Sequence, residues 1–356
     1  MEEILRTLVA FQTVSGDATA AHQALDYVAS FVTKRGMHVA RYDSDGFESL
    51  VATVRPDHKT PKVILAAHLD VVPAPSELFE LRQEDGKFYG RGVLDMKGAL
   101  AAYLQIIDEL QDTPSQYDFG LMVTTDEELG GKNGAEKLVE EGYAPSVCIL
   151  PDGGDNWQIQ LHSKGFLYVK VVVRGKPAHG SRPWLGHNAN LVLLNIIHEV
   201  HALFPDSGPN TNTLNIGLIN GGSAANQVAD YAEATLDIRV ISEAERQRLL
   251  VALKRICEQH NAQLTVELNG AVGEFSLENE YIAPFAKLIT EVTGVKVVGS
   301  RTLGSNDARF FAAKNIPCIS FYPTGGGHHG PEEWLSAEAL VQLKQIIQTH
   351  LEKTNK

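Results

Sequence analysis

The apolar and polar positions of the chain fall into two textures. Apolar runs at 49–54, 63–67, 119–125 and 147–151 lack polar alternation, which predicts strands buried on both faces. Stretches at 2–10, 19–35, 97–111 and 132–141 carry helical spacing instead. Their alternation predicts a sheet covered by helices over residues 1–162. Near Lys164 the pattern changes. "GFLYVKVVVRG" predicts a strand, "HNANLVLLNIIHEVHALF" a helix, "NTLNIGLIN" and "VADYAEATLDIRV" two strands, "SEAERQRLLVALKRICEQH" an amphipathic helix and "AQLTVEL" a last strand. The order β-α-β-β-α-β over roughly 165–270 is the ferredoxin-like signature. The first texture then returns: helix near 279–292, strand 295–299, helix 306–314, strand 317–322 and a terminal helix from Ser336. The fold class is therefore α/β. One discontinuous domain comprises residues 1–162 plus 277–356, and a ferredoxin-like (βαββαβ) domain is inserted at 163–276.

Chemistry gathers where the apolar runs stop. "VILAA" runs into His68 and Asp70, and Pro73 and Pro75 forbid a central strand beyond them. In extended chain, residues two apart share a face, so one of this pair can ligate while the other braces it. "FGLMVTT" runs into Asp126, Glu127 and Glu128, followed by Gly130 and Gly131. "VCIL" runs into Asp152, and "PCISFYP" into a glycine-rich turn with His328 and His329. Asp95 sits in "YGRGVLDMKG", just before a helix. Singly, each has an ordinary reading as a solvated turn, a surface histidine pair or a helix cap. Together they converge on the carboxyl edge of one sheet, where open α/β folds place ligands. Carboxylates and imidazoles crowded there repel and desolvate one another without a cation. Mixed His, Asp and Glu donors suit zinc, cobalt or manganese rather than calcium. The adjacent Glu127 and Glu128 add a mechanism: one binds metal and its neighbour takes a proton from activated water.

Composition narrows the partners. Lys+Arg 31 against Asp+Glu 44 gives a net charge of −13, with no basic block, which argues against nucleic acid and anionic membrane. Cys148, Cys257 and Cys318 show no paired spacing, and the N-terminal segment has neither a basic leader nor a long apolar stretch. A cytoplasmic protein with reduced thiols is the expectation. No GxSxG elbow is present and no cysteine lies in a motif, so a serine or cysteine hydrolase is disfavoured.

"AAHLDVVP", "YGRGVLDMKG", "TTDEELGG", "LPDGG" and "GGGHHGPEEW" resemble, in order and spacing, the motifs of the dizinc aminoacylase and carboxypeptidase family. That family includes acetylornithine deacetylases, succinyl-diaminopimelate desuccinylases, carboxypeptidase G-type enzymes and carnosinase-like dipeptidases. The resemblance implies a zinc-peptidase-like α/β/α catalytic domain and an inserted lid that makes a homodimer. It assigns His68 and Asp152 to one metal, Glu128 and His329 to the other, and Asp95 to both. It makes Glu127 the general base and Asp70 the residue that orients His68. His329 is preferred to His328 because Glu333 follows four residues later. "KPAHGSRPWLGHNA" resembles the segment whose histidine, here His179, stabilises the oxyanion from the partner subunit. Asn226 and Arg239 match substrate-contacting positions, the arginine suiting a carboxylate bidentately, and Arg309 and Gly326 lie in "LGSNDARF" and "TGGG", which resemble the loops beside the substrate carboxylate. The Asp95–Met96 peptide bond is expected to be cis.

There are departures from the family pattern. Asp152 stands where deacetylases and desuccinylases more often carry glutamate, and "APSELFEL" replaces a tryptophan-containing segment. The reading is a dipeptidase- or carboxypeptidase-like hydrolase cleaving an amide bond beside a free carboxylate, with two divalent metals, zinc first. An N-acyl-amino-acid deacylase is the alternative. A metal- or carboxylate-binding module without turnover is the reading from another class.

Overall fold

The computed structural model describes residues 1–111, 116–302 and 304–354. It divides into two compact units: Met1–His162 with Glu274–Thr302 and Asn306–Lys356, and Ser163–Gly273 with Leu303–Ser305.

The first unit is built on a six-stranded sheet with spatial order His38–Ser44, Phe47–Thr53, Phe119–Thr124, Val63–His68, Val147–Leu150, Cys318–Ser320. The first two strands form an antiparallel hairpin whose turn, Asp45–Gly46, needs positive φ at both residues. From Phe119–Thr124 onward the neighbours are parallel. Every residue of the 63–68, 119–124 and 147–150 strands is buried, as their continuous apolar character requires. Helices Glu2–Ala10, Ala18–Thr33, Lys97–Glu109, Ile282–Thr293 and Ala337–Thr354 supply the rest of this core. Asp17 caps the second by accepting from the amides of Thr19 and Ala20.

The second unit is a four-stranded antiparallel sheet in the order Thr213–Gly221, Tyr231–Val240, Gly165–Arg174, Gln263–Gly270. One face carries Leu167, Val169, Val171 and Val173, which pack with helices Ala189–His201 and Glu243–Gln259 into a separate core. Strand alternation thus reads directly as burial, buried and half-buried residues taking turns along 165–173.

Two local expectations differ. The strand expected at 295–299 is irregular, and the ladder begins only at Ser300–Thr302. Val295 and Val297 still turn toward the core, but Val298 is exposed and its amide bonds the Gln158 side chain rather than a strand. Strand His38–Ser44 was not expected. Its residues are all exposed or half-buried, so it carries no apolar run.

Candidate metal centre

The four parallel strands deliver their following residues to one edge. His68 ends its strand, and Leu69 stays in register by bonding the Thr124 carbonyl. Asp152 follows Val147–Leu150, and Glu127 and Glu128 follow Phe119–Thr124 through a single helical turn. That turn closes on Gly130 and Gly131, both with positive φ, and a Cβ on Gly131 would sit 2.0 Å from Asp307 Oδ1.

Asp95 lies at the centre. Its Oδ1 is 3.2 Å from His68 Nε2, and its Oδ2 is 3.2 Å from His329 Nε2. His329 Nε2 is also 3.1 Å from Glu128 Oε1. Two donor groups result: His68, Glu127 and Asp152, and Asp95, Glu128 and His329, each offering ligand atoms within 4.8 Å of one another. His328 belongs to neither, its ring lying edge-on to His329. The Asp95–Met96 peptide bond is cis.

Asp70 braces both groups. Its backbone carbonyl lies 2.9 Å from His68 Nδ1, while its carboxylate oxygen is 3.6 Å away. A donating Nδ1 leaves Nε2 facing Asp95. The Asp70 carboxylate instead accepts from the amides of Glu127 (3.1 Å) and Glu128 (3.0 Å) and from Ser15 Oγ (3.0 Å). One residue therefore fixes a histidine through its backbone and the glutamate turn through its side chain.

The electrostatics call for a cation. Burial, reinforced by Asp152, pushes the Glu127 carboxyl well above the usual range. Burial and then Asp95 do the same to Asp152. Burial opposes charge on Asp95, yet hydrogen bonds to His329 and His68 hold its carboxyl low. The Asp95 and Glu128 carboxylates raise His329 to about 10. Asp152 Oδ2 is buried with no hydrogen-bond partner. Among the described residues, the ion-pair partners of Asp95 and Glu128 are His68 and His329, and a divalent cation in each group would balance the same carboxylates. The donor set fits divalent metal.

Residues 64–353 match the peptidase family M20/M25/M40. The chain belongs to that family. As an M20-family member it is a hydrolase of a metal-dependent kind. A succinyl-diaminopimelate desuccinylase from Rickettsia bellii is 24% identical, the alignment covering 98% of this chain and 95% of that protein. One from Corynebacterium glutamicum is 30% identical over 82% of this chain and 80% of its own length. Among solved structures, a tripeptidase from Staphylococcus aureus superposes with TM-score 0.80 at 20% identity, covering 99% of this chain and 97% of that one. Human carnosine dipeptidase 1 gives TM-score 0.69 at 16% identity, covering 99% and 95%. Among the described residues, no helix is long and apolar enough to cross a membrane.

The other expected site residues of this M20-family chain have their own settings. In the first unit, Arg309 is buried and bonds the carbonyls of Asn306 (2.9 Å) and Gly130 (2.6 Å), so it ties down the loop after Glu128. Gly326 pairs with Trp334, and its Cβ position is 3.0 Å from the Trp334 indole nitrogen. In the second unit, His179 is exposed. Its Nδ1 accepts from the Ser181 amide and lies 2.8 Å from Ser181 Oγ, which leaves Nε2 as an outward donor. Asn226 lies beside it, its carbonyl accepting from Gly180 at 2.7 Å. Arg239 is paired through two bonds with Asp237 and touches Tyr168 Oη at 2.9 Å.

Sequence reasoning missed what holds Asp95 against His329. Glu333 is buried and accepts from the amides of Gly92, Leu94 and Asp95 at 2.9–3.2 Å and from Arg91 Nη1 at 2.7 Å. Arg91 in turn bonds the carbonyls of His329 and Gly330. His329 has φ of 61°, an uncommon left-handed conformation for histidine. The four-residue step from His329 to Glu333 and the arginine inside "YGRG" were the available signals.

Proposed function

We propose that this chain hydrolyses a peptide or N-acyl amide bond beside a free carboxylate, using two divalent cations that share Asp95. The observation that carries the reading is the two-sided placement of Asp95, one oxygen facing each histidine at 3.2 Å. His68 and Asp152 would hold one cation, and Glu128 and His329 the other. Our choice of metal is zinc, with cobalt and manganese compatible with the same donors. Bound there, the pair would supply Lewis-acid polarisation of the scissile carbonyl and acidify a water molecule.

The chain's residues do the remaining work. Glu127 takes the water proton and returns it to the leaving amine, and its raised affinity for a proton suits both halves of that shuttle. His179, with Nε2 as donor, would hydrogen-bond the developing oxyanion. Asn226, Arg239 and Gly326 would contact the substrate, Arg239 only by exchanging Asp237 for a substrate carboxylate. Arg309 shapes the loop behind Glu128. The test is hydrolysis of a panel of acetyl-, succinyl- and aminoacyl-amino acids by chelator-treated and metal-restored protein. Cleavage of dipeptides over acyl-amino acids supports the peptidase reading, and the reverse preference supports a deacylase. Stoichiometric metal binding with no hydrolysis of any member defeats both.

We further propose a homodimer through the second unit, with His179 acting in the partner's site. Leu218 and Ile219 on the edge strand Thr213–Gly221, and Leu191 and Leu194 on helix Ala189–His201, are each more than half exposed. An uncovered edge beside an apolar patch is a pairing surface. Mixing Glu127→Gln and His179→Ala proteins under subunit exchange should restore activity, because one site of each mixed dimer then carries neither lesion. A mixture that stays inactive despite proven exchange refutes action in trans. Three free, buried cysteines fit a reducing cytoplasm as its compartment.

A further inference from the structure

We infer that Tyr322 is a positioning residue for the metal ligand Asp152, reserving one carboxylate oxygen for itself and presenting the other as a one-oxygen ligand. The inference rests on the two-cation reading above. Tyr322 Oη donates to Asp152 Oδ1 at 2.8 Å, while Oδ2 of the same residue is buried and unpartnered, and Asp152 groups with His68 and Glu127. The two oxygens of one carboxylate therefore have different tasks.

The rest of Asp152 is held equally firmly. Its backbone carbonyl accepts from Ser320 Oγ at 3.0 Å and from Asn306 Nδ2. Tyr322 is itself fixed: its carbonyl accepts the Trp157 amide at 2.8 Å, and its ring lies 5.7 Å from that of His328 at 30°. Ser320, Tyr322 and Asn306 come from the segment 306–322, so the C-terminal part of the chain aims a ligand that belongs to the N-terminal part. A phenol on Oδ1 fixes the rotation of the carboxylate, so that Oδ2 alone would be free to ligate. Hydrogen bonds of this kind to ligating carboxylates typically carry 10–100-fold in metal affinity.

The experiment uses the full-length protein, stripped with chelator and titrated with Zn²⁺ against a chromophoric competitor, and separately with Co²⁺ followed by visible absorption. For Tyr322→Phe we expect one equivalent to weaken by about 10–100-fold and the other to keep its wild-type affinity. The Co²⁺ spectrum of the affected equivalent alone should change. Ser320→Ala, which removes a donor from the Asp152 carbonyl and leaves its carboxylate untouched, should alter neither equivalent. A Tyr322→Phe protein that binds both equivalents as wild type does, with unchanged spectra, overturns the inference. So does equal weakening of both. If Tyr322→Phe does not fold, 3-fluorotyrosine placed at position 322 alone gives the same answer: its ¹⁹F resonance should shift with one equivalent, and no shift with either overturns the inference. Wild-type stoichiometry is a separate readout. A wild-type protein binding fewer than two cations defeats the two-cation reading, whereas the comparison with Tyr322→Phe judges the tyrosine.

Discussion

His68 and His329 face opposite oxygens of Asp95 at the same distance, yet they reach it by different routes. His68 is 1% exposed and ends a buried strand, so the sheet's own register places it. His329 has a side chain 49% exposed and stands on a left-handed backbone in a loop, held by Arg91 and Glu333 from outside. The first side of the centre is thus part of the core, and the second is fastened to it. Damage to the two sides should therefore differ in kind: loss of chemistry on one, loss of assembly on the other.

The largest effect expected belongs to the first side. Glu127→Gln should lower turnover by about 10²–10⁴-fold while metal content and unfolding curves stay at wild-type values. Near-wild-type turnover would remove Glu127 as the base. On the second side, Glu333→Gln leaves the buried Arg91 without its counter-charge and, with one oxygen replaced by an amide NH2, takes the acceptor from either Gly92 or the pair Leu94 and Asp95. Breaking a buried pair from one end costs about 3–5 kcal/mol, so denaturant unfolding should shift by that order. An unshifted midpoint would show the clamp to be dispensable.

A second buried histidine sharpens the contrast. His350 has no carboxylate partner among its hydrogen bonds, and burial, then Lys353, lowers its pKa to about 4. The unfolded chain, with a histidine near 6.5, binds the proton first. Stability contributed by neutral His350 is thus complete above pH 6.5 and is lost as pH falls toward 4, by about 3 kcal/mol in all. Relative to His350→Leu, the wild type should lose that much more stability between those pH values, and parallel pH curves would refute it. The smallest effect expected is at the brace shared by both sides. Asp70→Asn keeps the backbone carbonyl against His68 but, with one oxygen replaced by NH2, loses acceptance from one of the Glu127 and Glu128 amides. Metal affinity should drop about 10–100-fold by competitive titration, and an unchanged affinity would confine Asp70 to a role in folding.

The same contrast explains what could be read in advance. Strands at 63–68, 119–124 and 147–150 were legible because burial on both faces writes a continuous apolar run, and the polar residues stopping each run mark the sheet edge. The inserted sheet was legible from alternation. Strand His38–Ser44 was not, since an edge strand has no face that must be fully apolar. Glu333 and Tyr322 were not read for their tasks either. Both act through hydrogen bonds to groups far away in sequence, and no local periodicity encodes such a partner.

The division of the first unit into separated segments sets an order of events during synthesis. The second unit's sheet comes from one stretch, Gly165 to Gly270, and all its pairing partners exist once that stretch has emerged. The first unit must wait. Strand Val147–Leu150 lacks its neighbour Cys318–Ser320 until most of the chain is made, and Arg91 meets Glu333 across 242 residues. Closing so long a loop is slow, and an open strand edge is exposed to wrong partners meanwhile. The nascent protein thus carries a finished second unit while the first is still unfinished. Its acidic edge acquires His329 only near the end of translation, so the group of Asp95, Glu128 and His329 cannot assemble before then.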